Sequence, residues 1–329
     1  MSLLFIDGFN HYATADIAKK NWLTTQGAIV AGGRNGQGFQ DPSGYQVFAS
    51  RATYIVGFAF KVPGLGNQPI LRLRDSNVDQ CSVNITVNGE FQFLRGGPTG
   101  GGTVLATSAV GLIPLNTWLY IELKVTINNA TGSFELRRNG SNIISGSGLD
   151  TQITANASAN QIFMDWPVVA TVYDDLYIAD DAGAVNNTFL GDLRIEAIYA
   201  DANGANNGWA PSTGVDRYAT IDEAPPNDDT DYNSSATPGD KFTCEFQNIS
   251  LTGSIKGLHL LPDIRKDDAG SRQFAPVVRH AAVDYDGLTV DVTDTYNYHR
   301  QMYETNPGTT AAWTVGDVNN GQFGGKVIT

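Results

Sequence analysis

The stretch that decides the fold is residues 118–140, WLYIELKVTINNATGSFELRRNG. Leu119, Ile121, Leu123, Val125 and Ile127 fall at period two, with Tyr120, Glu122, Lys124 and Thr126 between them. Phe134 and Leu136 alternate in the same way with Ser133, Glu135 and Arg137. Alternation places one residue set on each face of a strand. Asn128, Asn129, Thr131 and Gly132 form a turn between the two runs, and Asn139-Gly140 opens the next. The stretch therefore reads as an antiparallel hairpin with one buried face. Glu122 and Glu135 are expected on its solvent face, where Lys124 and Arg137 neutralise them.

Working outward, short strands are predicted at residues 3–6, 28–30, 46–49, 54–60 (YIVGFAF), 70–74, 82–87, 90–94, 161–164 and 172–179. Asn88-Gly89 is a two-residue hairpin signal, and GGPTGGG at 96–102 is a loop tip. A polar turn at 180–188, DDAGAVNNT, marks a boundary, giving domains at 1–182 and 183–329. In the second domain, strands are predicted at 193–199, 242–246, 257–261, 273–278 and 288–292. A long polar segment, 201–240, lies among them. Helix is limited to single turns at 13–20 and 315–319. The chain thus reads as all-β.

Composition agrees. Of 329 residues, 36 are glycine, 41% are hydrophobic and 17% are charged, which suits turns and packed cores rather than disorder. The net charge of −13 disfavours binding to phosphate backbones and anionic membranes. Residues 1–183 hold 11 basic and 14 acidic side chains, against 10 and 20 in 184–329, so most of the acidity sits in the second domain. Cys81 and Cys244 show no metal or redox spacing and read as small buried side chains. The N-terminus lacks a signal-peptide pattern and no window reaches a membrane span, so a soluble protein made without a cleaved leader is expected.

Residues 3–9 (LLFIDGF), W-x-Y-x-E-x-K-V from Trp118, G-x-F-x-L-x-x-N-G from Gly132 and DDLYI from Asp174 together resemble the concanavalin A-like, or laminin-G-like, jelly roll. The resemblance covers about residues 1–180 and implies that the last strand returns beside the first. Further runs at 189–204, 228–235 and 311–324 look like tailed-bacteriophage virion proteins that join such a jelly roll to a second β-sandwich. That resemblance implies a tail-, baseplate- or fibre-associated structural protein, localised to the virion and acting through contacts with copies of itself and with neighbouring virion proteins. A host-attachment module that binds surface glycan is the alternative, and a capsid decoration protein is another.

The residues offer little catalytic chemistry. The clustered Glu-x-Asp-x-Glu of glucanases in this fold class is absent, and Glu90, Glu122 and Glu135 are isolated. His11, His259, His280 and His299 show no metal or triad spacing. No enzyme activity is expected. Asp174-Asp175, Asp180-Asp181 and Asp228, Asp229 and Asp231 could supply oxygens to Ca²⁺, or they are charged strand edges and solvated turns. Trp22, Tyr45 and Trp166 are candidate glycan contacts, or core plugs. Trp209, Tyr218 and Tyr232 in the 201–240 segment are candidate anchors of a homo-oligomer, with a trimer favoured, or they fold back on their own domain.

Overall fold

The computed structural model describes residues 2–97 and 101–329; residues 98–100 of the expected loop tip lie outside these. The chain divides into two compact units. One holds residues up to Asn10 together with Asn21–Glu196, and the other holds His11–Lys20 together with Ala197–Thr329.

The first unit contains thirteen strands: β1 (Leu3–Asp7), β2 (Leu23–Ala31), β3 (Gln37–Arg51), β4 (Thr53–Lys61), β5 (Gln68–Asp75), β6 (Val78–Ile85), β7 (Phe91–Arg95), β8 (Thr103–Thr107), β9 (Leu119–Thr126), β10 (Gly132–Arg138), β11 (Ser141–Leu149), β12 (Ala159–Met164) and β13 (Val172–Ala179). Their order is β11-β10-β9-β4-β13-β3-β12-β5-β6-β7-β8, with β1 beside β13 and β2 beside β3. The path folds over on itself. Phe93 of β7 stacks on Phe134 of β10, far away in the strand order, with ring centroids 3.9 Å apart. Phe91 meets Phe60 of β4 edge-on in the same way. Two layers thus enclose one core, the sandwich of a jelly roll. β1 runs antiparallel to β13, so the last strand returns beside the first.

The decisive hairpin is β9–β10, with Phe134 opposite Val125 and Leu136 opposite Leu123. Leu119, Ile121, Leu123, Val125 and Ile127 are all buried. The opposite face differs from expectation. Glu135 is ion-paired with Arg137 at 2.7 Å, but Glu122 is only 1% exposed. The segment 184–196 crosses over it: Gly191 N–H and the Tyr177 hydroxyl donate to Glu122 Oε1 at 2.8 and 2.6 Å. The same segment donates Ile195 N–H to Asp175. These bonds place the unit boundary at Glu196, beyond the expected 182. They also explain why residues 193–199 form no strand: the amide of Ile195 is given to a carboxylate rather than to a β-ladder. Gly57 of β4 faces the Tyr177 ring so closely that any Cβ there would collide with it.

The second unit contains β14 (Ala200–Asn207), β15 (Ala210–Pro211), β16 (Asn233–Ser234), β17 (Lys241–Phe246), β18 (Leu258–Leu260), β19 (Asp263–Ile264), β20 (Arg272–His280), β21 (Val283–Asp286), β22 (Val290–Val292), β23 (Asn297–Tyr298), β24 (Gln301–Tyr303), helix α1 (Val315–Asn319) and β25 (Gln322–Val327). The main sheet runs β14-β17-β25-β20-β21, with β22 also on β20. Val278 and Phe323 on one face pack with Trp313, Val318 of α1, and Leu258 and Leu260 of β18, which forms a second layer. α1 starts on a capping box, in which Thr314 Oγ1 accepts from Asp317 N–H at 3.1 Å.

Two departures come from tertiary pairing. The first part of the 201–240 segment is an edge strand, β14, whose sequence ADANGANN has no apolar alternation. Pairing with β17 and side-chain bonds hold it, including Ala205 N–H to Gln322 Oε1 at 2.8 Å and Asn206 N–H to Thr243 Oγ1 at 3.1 Å. Residues 11–20 also belong to the second unit. Lys19 reaches Asp228 at 2.7 Å and Asp263 at 3.4 Å, and Lys20 Nζ lies 2.8 Å from His11 Nε2. His11 is held well below its usual range by burial and by that neighbouring lysine.

Candidate functional site

Three polar residues alternate along the outward face of β6: Gln80, Ser82 and Asn84. All three are buried. Gln80 is fully used: its Nε2 donates to Thr154, Asn156 and Ser158, and its Oε1 accepts from the amides of Ile153 and Thr154. Ser82 donates to the Gly96 carbonyl at 2.9 Å. Asn84 is different. It is 5% exposed, and its Oδ1 has no hydrogen-bond partner among the described residues. A buried acceptor left unsatisfied costs ~1–3 kcal/mol, so its persistence calls for a reason.

Asn84 lines a depression of about 490 Å³ together with Asn67, Asn88, Glu90, Gln92 and Leu94. Strand register builds it. Asn84 lies directly opposite Gln92, and Gln92 opposite Thr107, so a polar row crosses β6, β7 and β8. Gln92 Nε2 donates to Thr107 Oγ1 at 3.4 Å, leaving Oε1 as its acceptor end. Asn67 Oδ1 accepts from Val87 N–H at 3.1 Å, which leaves its NH₂ as a donor. Glu90 Oε2 accepts from the Thr86 hydroxyl at 2.8 Å and from Asn88 at 3.5 Å. Leu94 supplies an apolar surface. The sequence signal for this row was the alternation of Gln80, Ser82 and Asn84 beside the Asn88-Gly89 turn. Which of the three would be left unsatisfied depends on where the 150–158 loop falls.

A second depression, of about 270 Å³, is lined by Gln68, Pro69, Asp165, Trp166 and Pro167. Pro69 is the cross-strand partner of Asn84. Of the three glycan candidates, Trp166 alone lines either of these two depressions, and it is half-buried. Trp22 is a core residue: its indole donates to Asp7 Oδ2 at 3.1 Å and packs against Phe5, Phe9 and Phe39. Tyr45 stacks on Phe163 with centroids 5.8 Å apart. The Arg72 and Arg74 guanidiniums lie 4.1 and 4.5 Å from the Phe163 centroid, so its ring is occupied. Arg72 grips Asp165 through two bonds of 2.6 Å. Burial pushes the Asp165 carboxyl upward, and Arg72 opposes the shift.

Of the aspartates considered for Ca²⁺, Asp174, Asp175, Asp180, Asp228 and Asp229 are engaged by N–H donors and cations, whereas Asp231 Oδ1 is buried with no hydrogen-bond partner among the described residues. Asp174 accepts from the amides of Arg34 and Asn35 at 2.6 and 3.3 Å and from the Asp175 amide at 2.7 Å. Burial and then the Asp175 charge raise its carboxyl to about 7. Asp175, at φ 50° in a β-bulge, is ion-paired at 3.2 Å with both Arg34 and Arg194. Asp180 binds Arg51 at 2.7 Å. Asp228 goes to Lys19 and Asp229 to Arg265 and Tyr296. Among the described residues, no group of three His, Cys, Asp or Glu side chains is placed to hold a metal ion.

The aromatic residues of the 201–240 segment part company. The Trp209 ring packs on Phe242 and Phe274 of its own unit, centroids 4.9 and 6.1 Å away, and donates to the Asp240 carbonyl. Tyr218 opens a single 3₁₀ turn, half-buried, and its amide donates to Asn203. Tyr232 is 39% exposed.

No protein-family model matches the chain, and no curated protein does. Solved structures align with about half of it. The cellulose-induced protein Cip1 is 13% identical, over 54% of this chain and 97% of its own, with a TM-score of 0.40. The galectin LEC-6 of Caenorhabditis elegans is 11% identical, over 44% and 96%, with a TM-score of 0.31. Domain 4 of AbnA, a GH43 extracellular arabinanase from Geobacillus stearothermophilus, solved with arabinotriose, is 15% identical, over 47% and 75%, with a TM-score of 0.34. The jelly-roll assignment rests on the strand order and cross-layer contacts described above.

Proposed function

We propose that this chain is a non-enzymatic carbohydrate-binding protein of a bacteriophage virion, acting in host attachment through its first unit. The observation that carries the binding role is the cluster of amide side chains, Asn67, Asn84, Asn88 and Gln92, lining one depression. Sugar sites are built from a few convergent polar groups beside an apolar surface, and Trp166 in the neighbouring depression adds an aromatic face. Against catalysis stands the carboxylate arrangement. Glycoside hydrolysis in its common form needs two carboxyls flanking the bond. Glu90 is the single carboxylate lining its depression, and Asp165 lines the other while bound to Arg72. The virion assignment rests on the family resemblance along the chain. Binding of purified protein to an array of host surface polysaccharides, with mass spectrometry of purified particles for the chain itself, tests both parts. Absence of glycan binding overturns the first, and absence from particles overturns the second.

A second reading is a structural role by self-assembly and contact with other tail, baseplate or capsid-surface proteins, with a trimer as the expected homo-oligomer. Exposed apolar side chains on the second unit favour it, including Tyr232, Val215, Leu251 and Leu288. The acidity of residues 184–329 suits a basic partner surface.

A further inference from the structure

The two depressions adjoin on one face of the sheet. Pro69 lines the second, Asn84 lines the first, and the two residues lie directly opposite each other on β5 and β6. Directly paired residues share a face. Consecutive residues join the depressions along the rim: Asn67 belongs to the first and Gln68 to the second, and both are exposed. On the far side of the second, Asp165 N–H donates to the Ile70 carbonyl at 3.3 Å, which sets Trp166 beside β5. Across the first, Asn84 pairs with Gln92 of β7. The strand order β12-β5-β6-β7 therefore carries one continuous strip, with Trp166 at one end and Gln92 at the other. Three inter-strand spacings make it about 14 Å long, more than a single sugar ring covers. Neither depression is enclosed, so a chain can enter at one end of the strip and leave at the other.

We infer that this strip binds an internal stretch of an extended glycan chain laid across the strands, with Trp166 stacking on one sugar ring and the amides of Asn67, Gln68, Asn88 and Gln92 meeting the hydroxyls of the units that follow. The inference rests on the carbohydrate-binding reading and adds the form of the ligand: a polysaccharide backbone rather than a terminal sugar. The chemistry of the lining suits it. A primary amide offers donors and an acceptor, and a hydroxyl does the same, so each amide can meet a hydroxyl in either sense. An aromatic face beside polar groups accommodates the apolar side of a ring. The side chains that make the contacts are accessible: Asn67, Gln68 and Asn88 are exposed, and Gln92 and Trp166 are half-buried. Asn84, which is buried, forms floor rather than contact. Each unit on an open strip makes few contacts, so affinity accumulates along the chain.

The test takes each polysaccharide that the full chain binds on the array, prepares size-fractionated partial hydrolysates of about one to eight units, and titrates them by calorimetry. Affinity is expected to rise about tenfold between roughly two and four units and then to level off. Trp166→Ala should weaken binding of the longest oligomers about tenfold, and Gln92→Ala, at the other end, severalfold. Gln68→Ala and Asn88→Ala, at exposed positions, stand in for these two if either unfolds. Losses at both ends are what one ligand spanning both depressions requires. A monosaccharide or disaccharide that binds as tightly as the longest oligomer overturns the inference and leaves the carbohydrate reading standing. So does long-oligomer binding that responds to variants at only one end of the strip, or at neither. No binding to any polysaccharide overturns both.

Discussion

Glu122 shows how much a single position can depend on distant chain. By alternation it belongs to the solvent face of β9, yet it is buried and bonded to Tyr177 and to Gly191, residues far along the chain. Glu122→Ala leaves the Tyr177 hydroxyl and the Gly191 amide without their acceptor, and should destabilise the first unit by roughly 1–3 kcal/mol. Glu122→Gln keeps an acceptor oxygen and should recover most of that loss; equal denaturant midpoints for the two variants would show that these bonds carry no weight. Leu123, its neighbour, lies on the face that the alternation read correctly, fully buried opposite Leu136. Leu123→Asp places an unpaired carboxylate in the core at a cost of several kcal/mol, and should abolish soluble expression. Recovery of soluble protein with an unchanged melting curve would contradict the burial.

At the level of elements, strands with apolar alternation were legible and strands without it were not. β9, β10, β13, β17 and β20 all appear where the pattern put them. β14, an edge strand of Asn, Asp, Ala and Gly, does not announce itself, because its partners supply what its side chains lack. The edge of the same sheet is also held by charge. Lys241 lies between Asp284 and Asp286, which also bind Arg279 and Lys326. Burial opposes the charged forms, but the ionic and hydrogen-bonding partners prevail: both aspartates stay below their ordinary range and Lys241 stays above its own. Lowered carboxyl values mean stability that is present above the unfolded value of about 4 and lost as pH falls through the folded values. Lys241→Met should therefore cost roughly 0.5–1 kcal/mol near neutral pH, the modest size expected of a partly exposed pair. That difference should shrink below about pH 4. A melting-temperature gap between variant and parent that stays constant from pH 7 down to pH 3 would rule out this ionic contribution.

At the scale of the whole molecule, the units depend on segments that leave their sequence neighbourhood. A fragment of residues 1–182 lacks the stretch that covers Glu122 and engages Asp175, whereas one of residues 1–196 retains it. The longer fragment should melt several degrees higher, since each ~1 kcal/mol shifts a domain of this size by about 2–4 °C. Equal melting would mean that residues 183–196 add nothing. If self-assembly operates, light scattering should give about three times the 35.3 kDa chain mass. Trp209→Ala should lower the melting temperature without changing that mass, because its ring packs on Phe242 and Phe274. A loss of oligomer in this variant would return Trp209 to the interface.

The amino-acid order alone determined the all-β class, the central hairpin with its buried face, and the absence of any clustered carboxylate motif. Those are local properties: a period of two and a turn signal act over a few residues, and are the same wherever the strand ends up. Tertiary structure alone decided the crossing of residues 184–196, the placement of residues 11–20 with the second unit, and the character of the candidate site. Gln80, Ser82 and Asn84 look alike in a strand that reads VDQCSVNI. Only the fall of the 150–158 loop over Gln80 and the Gly96 carbonyl beside Ser82 leaves Asn84 Oδ1 as the oxygen without a partner among these three. Whether a buried polar atom is satisfied depends on atoms remote in sequence, and no local pattern contains that information.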